Sequence, residues 1–142
     1  MDKPRSNLTR QQLEQVFSQR IQDLYQTQVG HQPARVTCQV FDNKLAIVLE
    51  DAISRPVQLL AENDRLNLAQ QVRSNVDAAI KPQLRQVIEE VLSVSVVDLI
   101  VGTTIETGRT GIIAVLDVSP TVSDAAVPLQ VKPEMVSVDN DR

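Results

Sequence analysis

Aromatic side chains are nearly missing from this chain of 142 residues, which has one Tyr, two Phe and no Trp. So few rings give no platform for stacking successive bases, which makes single-stranded nucleic acid a poor ligand. His and Cys occur once each. They are too few to fill the positions of a zinc site, and a lone Cys closes no internal disulfide. His31, between Gly30 and Gln32, reads as a surface or capping residue of a loop, with no Ser-His-acid or Cys-His arrangement evident around it. Cys38 is in phase with Val36 and Val40 and reads as a small core residue, not a reactive thiolate. No long hydrophobic run exists. The longest, Val94 to Val101, is interrupted by Ser95 and Asp98 and falls far short of the ~20 residues that cross a bilayer. The chain opens Met-Asp-Lys-Pro-Arg with no apolar stretch behind it, so the expectation is no secretory signal and a cytoplasmic location. An excess of positive charge is also lacking. Eighteen acidic against fourteen basic side chains give a net charge of -4, which argues against general affinity for nucleic acid or anionic lipid.

What the chain does have is length enough for one domain with its own core and a helical apolar phase sustained from Asn63 to Leu92. Val72, Val76, Ile80, Leu84, Ile88 and Val91 recur every three or four residues, and Ala69, Ala79 and Val87 widen the stripe. Pro82 falls inside this phase and predicts a kink or restart. A first amphipathic helix is expected from Leu13, Val16, Phe17, Ile21, Leu24 and Tyr25, with Ser6 and Asn7 as cap and an end near Gly30.

Between the helices, residues 35 to 50 read as a β-hairpin turning at Asp42-Asn43-Lys44. Residues 51 to 62 read as loop with at most one helical turn, since Arg55-Pro56 breaks regularity. A second hairpin is expected from Val94 to Val101 and Thr110 to Asp117, bent at Gly102 and Gly108. The element order gives an α+β fold: a two-layer α-β-β-α-β-β domain over 6–117 with a four-stranded, mainly antiparallel sheet and two main helices. Its expected core includes Cys38, Ile47, Val76, Ile80, Leu84, Ile88, Val97 and Ile113. Residues 118–142, proline-containing and without period, read as a flexible tail.

Leu45 to Leu49 and Ile112 to Leu116 are apolar at consecutive positions, so both faces of the sheet centre are apolar. Two helices cover one face; a homodimer or the tail is expected to cover the other. No convergent acid, base and nucleophile stand out. Glu89-Glu90 sit on helical positions that diverge and read as a solvated face, and Glu50-Asp51 are adjacent carboxylates of the same weak kind. The stretch Glu106 to Gly111 matches neither a phosphate loop nor a dinucleotide fingerprint, because a strand and not a helix follows its glycines. Hairpin geometry, partner contact and anion binding all remain open for it. No enzyme activity, cofactor or metal is therefore expected. Partner contacts are assigned to Arg35, Thr37 and Gln39, on the outer strand of the first hairpin, and to Glu106 and Arg109.

Several pieces together resemble a known family. They are Gly30-His31-Gln32-Pro33 before a strand, Lys81-Pro82-Gln83-Leu84-Arg85-Gln86-Val87-Ile88-Glu89-Glu90, Val96-Val97-Asp98-Leu99, Glu106-Thr107-Gly108 and Ile112-Ile113. Their order and spacing, over about residues 10 to 117, look like the small MpsC-like family, long catalogued as a domain of unknown function. One departure is Ser93, where the family commonly has Gly between helix and strand. The resemblance implies an accessory part in a sodium-linked, membrane-potential-generating or bicarbonate-uptake system, with no catalytic residues to carry over. The Gln-rich first helix and these hairpins also look like the photosynthetic-bacterial branch, which implies an assembly factor of the carboxysome shell that binds a short peptide tail. Either way, the resemblance implies a protein that works by binding another protein.

Overall fold

The first helix begins where a reciprocal cap is available. In the computed structural model, which describes residues 8–122, Thr9 accepts from the Gln12 amide while the Gln12 side chain accepts from the Thr9 amide. The helix, α1, therefore starts at Arg10 and not behind Ser6 and Asn7, and runs Arg10–Gln28. It buries Leu13, Phe17, Ile21 and Tyr25, and the chain leaves it through Gly30 at φ 80°. The hairpin follows as β1 (Arg35–Phe41) and β2 (Lys44–Glu50), with Asp42 in a left-handed conformation at the turn.

Residues expected to be loop form a real helix, α2 (Arg55–Glu62), because Pro56 lies in the first turn, where its missing N–H costs nothing. Asp64, at φ 60°, separates it from α3 (Leu66–Leu92). Pro82 lies inside α3, and the helix continues through it without interruption. Two further strands, β3 (Val96–Thr104) and β4 (Arg109–Leu116), run further toward each other than expected and leave only residues 105–108 as the turn, so Gly102 lies inside β3 and not at a bend; at their outer ends they fall short of Val94 and Asp117.

All pairings are antiparallel in a four-stranded sheet of order β1-β2-β4-β3. The α+β class, strand number and element order thus agree with the sequence pattern, with α2 as an added short helix. Helices α1 and α3 pack on one face against Val36, Leu45, Ile47, Leu49, Leu99, Ile112, Ala114 and Leu116. Ile47, Ile80, Leu84 and Ile88 are buried as expected. Val97 is not: it is 59% exposed. The register steps from Val96 opposite Leu116 to Asp98 opposite Val115, so Val97 is an unpaired bulge residue that leaves the alternation. Cys38, Val76 and Ile113 are half-buried, the last because it lies on the face away from the helices. Residues 123–142, the larger part of the expected tail, lie outside the described residues; Val122 packs against the edge of the main core.

Ser93 closes α3 at φ 57° and ψ 39°, the left-handed conformation that glycine adopts without strain. Serine here keeps the backbone path at an energetic cost. Ser93→Gly is expected to raise unfolding stability by about 1 kcal/mol in urea titrations. In the opposite direction, Ile80→Ala or Leu84→Ala is expected to lower it by ~2 to 5 kcal/mol, because both side chains lie in the packed seam between α3 and the sheet. A variant at either position that unfolds at the parent's midpoint would contradict that placement.

Candidate functional site

Side chains alternate along each strand, so the register fixes what lies on the sheet face away from the helices. Four rows cross it in strand order. They are Arg35, Glu50, Arg109 and Thr104; then Thr37, Val48, Gly111 and Gly102; then Gln39, Ala46, Ile113 and Ile100; and last Phe41, Lys44, Val115 and Asp98. The centre is apolar and open: Ile100 is 54% exposed and Val48 37%, with Phe41 also exposed at one corner. Charged residues sit only at the two ends. Gly102 and Gly111 are direct cross-strand partners, and a Cβ added to either meets nothing within 4 Å. They form a bare strip of backbone beside the two isoleucines.

Four of the five expected partner-binding residues, Arg35, Thr37, Gln39 and Arg109, lie on this one face. Arg109 is held by Glu50, Nε to Oε1 2.8 Å. Glu106 is exposed in the β3–β4 turn and does not join them. That turn is hairpin geometry: the Gly108 amide donates to the Thr104 carbonyl, and Gly108 has φ 72°.

β1 is an edge strand, but it is partly occupied. The Cys38 amide points away from β2 and donates to the Glu14 carboxylate on α1 at 3.3 Å. By antiparallel alternation the Thr37 and Gln39 amides face β2 instead. A proline at Thr37 would therefore break the β1–β2 ladder.

Glu89 and Glu90 diverge. Glu89 accepts the Val96 amide at 2.8 Å and so ties α3 to β3, whereas Glu90 pairs with Arg20 on α1. Glu89 is thus a tether and not part of a solvated face. His31 Nε2 lies 2.8 Å from the Asp51 carbonyl, a capping contact in which that nitrogen donates.

Sequence reading missed a buried polar cluster under α3. Arg73, 2% exposed, donates from Nε to Asp77 at 3.0 Å and Thr103 at 3.2 Å, from Nη1 to the Ala52 carbonyl at 2.6 Å, and from Nη2 to Thr110 at 2.9 Å. The Thr103 hydroxyl also donates to Asp77 Oδ2 at 2.8 Å. The guanidinium lies 5.8 Å from the Tyr25 ring centroid. Each of its three nitrogens has a protein partner, so the cluster fastens α3 to β3, β4 and the chain after β2. A cleft of about 380 Å³ opens beside it, with Lys81, Gln70 and Ser74 on its rim.

A second cleft, about 310 Å³, runs between the C-terminal end of α1, the start of α2 and α3. Val29, Pro56, Val57, Val72, Val76, Ala79 and Ile80 give it apolar walls; Gln28, Ser54 and Gln83 supply the polar contacts. Val72 and Val76 belong to the apolar phase of α3, yet α1 and α2 leave them half-covered.

Burial, helped by the Glu14 carboxylate, pushes the Cys38 thiol up from 9.0 to about 12. Burial also raises the Tyr25 phenol from 10.0 to about 12, opposed by Arg73 and aided by Asp77. Each group ionises more readily in the unfolded chain, so the unfolded state binds fewer protons across these windows. Stability contributed by the Cys38 thiol is intact below pH 9 and falls as pH rises from 9 toward 12. Measured by urea unfolding, Cys38→Ala is expected to remove the part of the decline that begins at pH 9 and to keep the part due to Tyr25. An unchanged profile would contradict the burial of the thiol.

Among the described residues, no helix is long and apolar enough to cross a membrane. No curated protein and no solved structure matches the chain at a significant level. The family described as Na+-translocating membrane potential-generating system (MpsC) matches residues 9–118. That span takes in every helix and strand of the described residues, from α1 through β4. The chain belongs to the MpsC family.

Proposed function

We propose that this protein is a non-enzymatic, cytoplasmic binding protein that captures a short segment of another protein in the groove between α1, α2 and α3. The observation that carries this reading is the half-covered Val72 and Val76, core-phase residues of the longest helix left as the wall of an apolar groove. The groove combines continuous apolar surface with a few amide and hydroxyl groups at its margins, the chemistry that receives the apolar face of a short helix or an extended peptide. The family description points to a partner within a sodium-translocating, membrane-potential-generating system, which this chain serves as an accessory subunit.

A second partner is a peptide tail of a carboxysome shell protein, with this chain as a chaperone-like assembly factor. It rests on the resemblance of the Gln-rich α1 and of the hairpins to the photosynthetic-bacterial branch of the family.

The test uses tagged protein in a pull-down from extract of the source cells, with bound proteins identified by mass spectrometry. Ala79→Glu places a charge in the groove at an exposed helical position and is expected to leave the circular dichroism spectrum unchanged. Recovery of the specific partner is expected to fall at least tenfold. Equal recovery by the folded variant would exclude the groove. A membrane ion-transport component among the captured proteins supports the first partner, and a shell protein the second.

A further inference from the structure

We propose that the open face of the sheet is the interface of a homodimer in which each copy inserts Ile100 and Ile113 over the glycine strip of the other. This inference goes beyond the groove reading and concerns a different surface.

Two central rows make this face its own complement. One row, Gln39, Ala46, Ile113 and Ile100, lies beside another, Thr37, Val48, Gly111 and Gly102. Place a two-fold axis between these rows, perpendicular to the strands and parallel to the sheet. It turns a second copy face down so that each strand lies over its own counterpart, running the other way. Each central row then lies over the other row of the partner. Ile113 meets Gly111, Ile100 meets Gly102, and Ala46 meets Val48, with every contact repeated by symmetry. Large side chains face bare backbone at two positions and a small side chain faces a larger one at the third.

An isologous interface requires a surface that is its own complement, and this one is. Packing of two sheets across their inner faces in near-aligned orientation is a common layer arrangement, with the layers ~10 Å apart.

The same axis places the charged end rows over one another. Lys44 of each copy lies over Glu50 of the other, and exposed Phe41 lies over Arg35, an aromatic ring beneath a guanidinium. The face holds Arg35, Lys44 and Arg109 against Glu50 and Asp98, a local positive balance on a chain whose net charge is -4. Two copies therefore meet without opposing their acidic surfaces. From strand and residue spacing the face measures roughly 19 by 27 Å, about 1,000 Å² in projection for both copies. That reaches the size at which specific interfaces begin. The dimer leaves the two helical layers outside, so it presents two peptide grooves on opposite sides.

The glycines supply the test, since the monomer has open space above both. Sedimentation velocity on the full chain is expected to show a dimer at micromolar concentration. Gly111→Leu and Gly102→Leu fill the strip and are each expected to weaken dimerisation at least tenfold while circular dichroism stays that of the parent. Ile100→Asp, at an exposed position, provides an independent variant with the same expected outcome. A parent that remains monomeric at 100 micromolar, as an order-of-magnitude ceiling of about 10⁻⁴ M, would overturn the proposal. So would a dimer that tolerates both leucines, because its interface would lie elsewhere. A chain that dimerises only after residues 123–142 are removed would assign the face to that segment and equally overturn it.

Discussion

A guanidinium almost wholly withdrawn from water is tolerated only when its donors find partners, and Arg73 finds them on four separate parts of the chain. Asp77 lies one turn along α3, Thr103 is on β3, Thr110 is on β4, and the Ala52 carbonyl follows β2. Loss of the Ala52 carbonyl or the Thr110 hydroxyl leaves a buried nitrogen unmet, so the cluster specifies a single position for α3 on the sheet more strongly than apolar packing alone, which accepts small slides. The surfaces described above depend on that position. It sets how much of Val72 and Val76 remains uncovered, and it keeps both long helices on one side of the sheet.

The fold class was legible because the hairpins and long helices carry unmixed periods. Val36, Cys38 and Val40 alternate, and Ile80, Leu84, Ile88 and Val91 hold one helical phase. The first half of α3 was harder to read. Its buried face is Ala69, Arg73, Asp77 and Ile80, whereas an apolar criterion selects Val72 and Val76 one position away. The signal available was an Arg and an Asp four apart in line with Ala69 and Ile80, the spacing of an ion pair on the covered face. Val97 escaped prediction for another reason, since a bulge breaks alternation without any glycine or proline to announce it. The candidate surfaces were only partly legible. Apolar residues at consecutive strand positions did indicate a second uncovered face, but the alignment of Gly102 with Gly111 depends on register across β3 and β4. The helical groove depends on α2, whose proline was read as a breaker and not as a helix start.

Two surfaces of unlike character result. The helical groove is narrow, concave and asymmetric, suited to a segment of a different protein. The sheet face is broad and nearly flat, and its side chains form a pattern that matches itself after rotation. Assigning one surface to a heterologous partner and the other to a second copy gives each a different symmetry requirement. Strand register puts Arg35, Thr37, Gln39 and Arg109 on the sheet face, while Glu106 lies in the β3–β4 turn.

The adjacency of β2 and β4 at the centre of the sheet bears on the order in which the chain assembles. Each hairpin joins neighbouring segments, so β1–β2 and β3–β4 pairing closes only a short turn. The β2–β4 seam, in contrast, closes a loop that contains α2, α3 and β3, and ordering that loop costs entropy before any central contact compensates. Helix α3 shortens the effective span, because a formed helix carries the chain back across the sheet as a rigid element. The β2–β4 seam is accordingly the strand pairing of the sheet with the largest loop-closure cost.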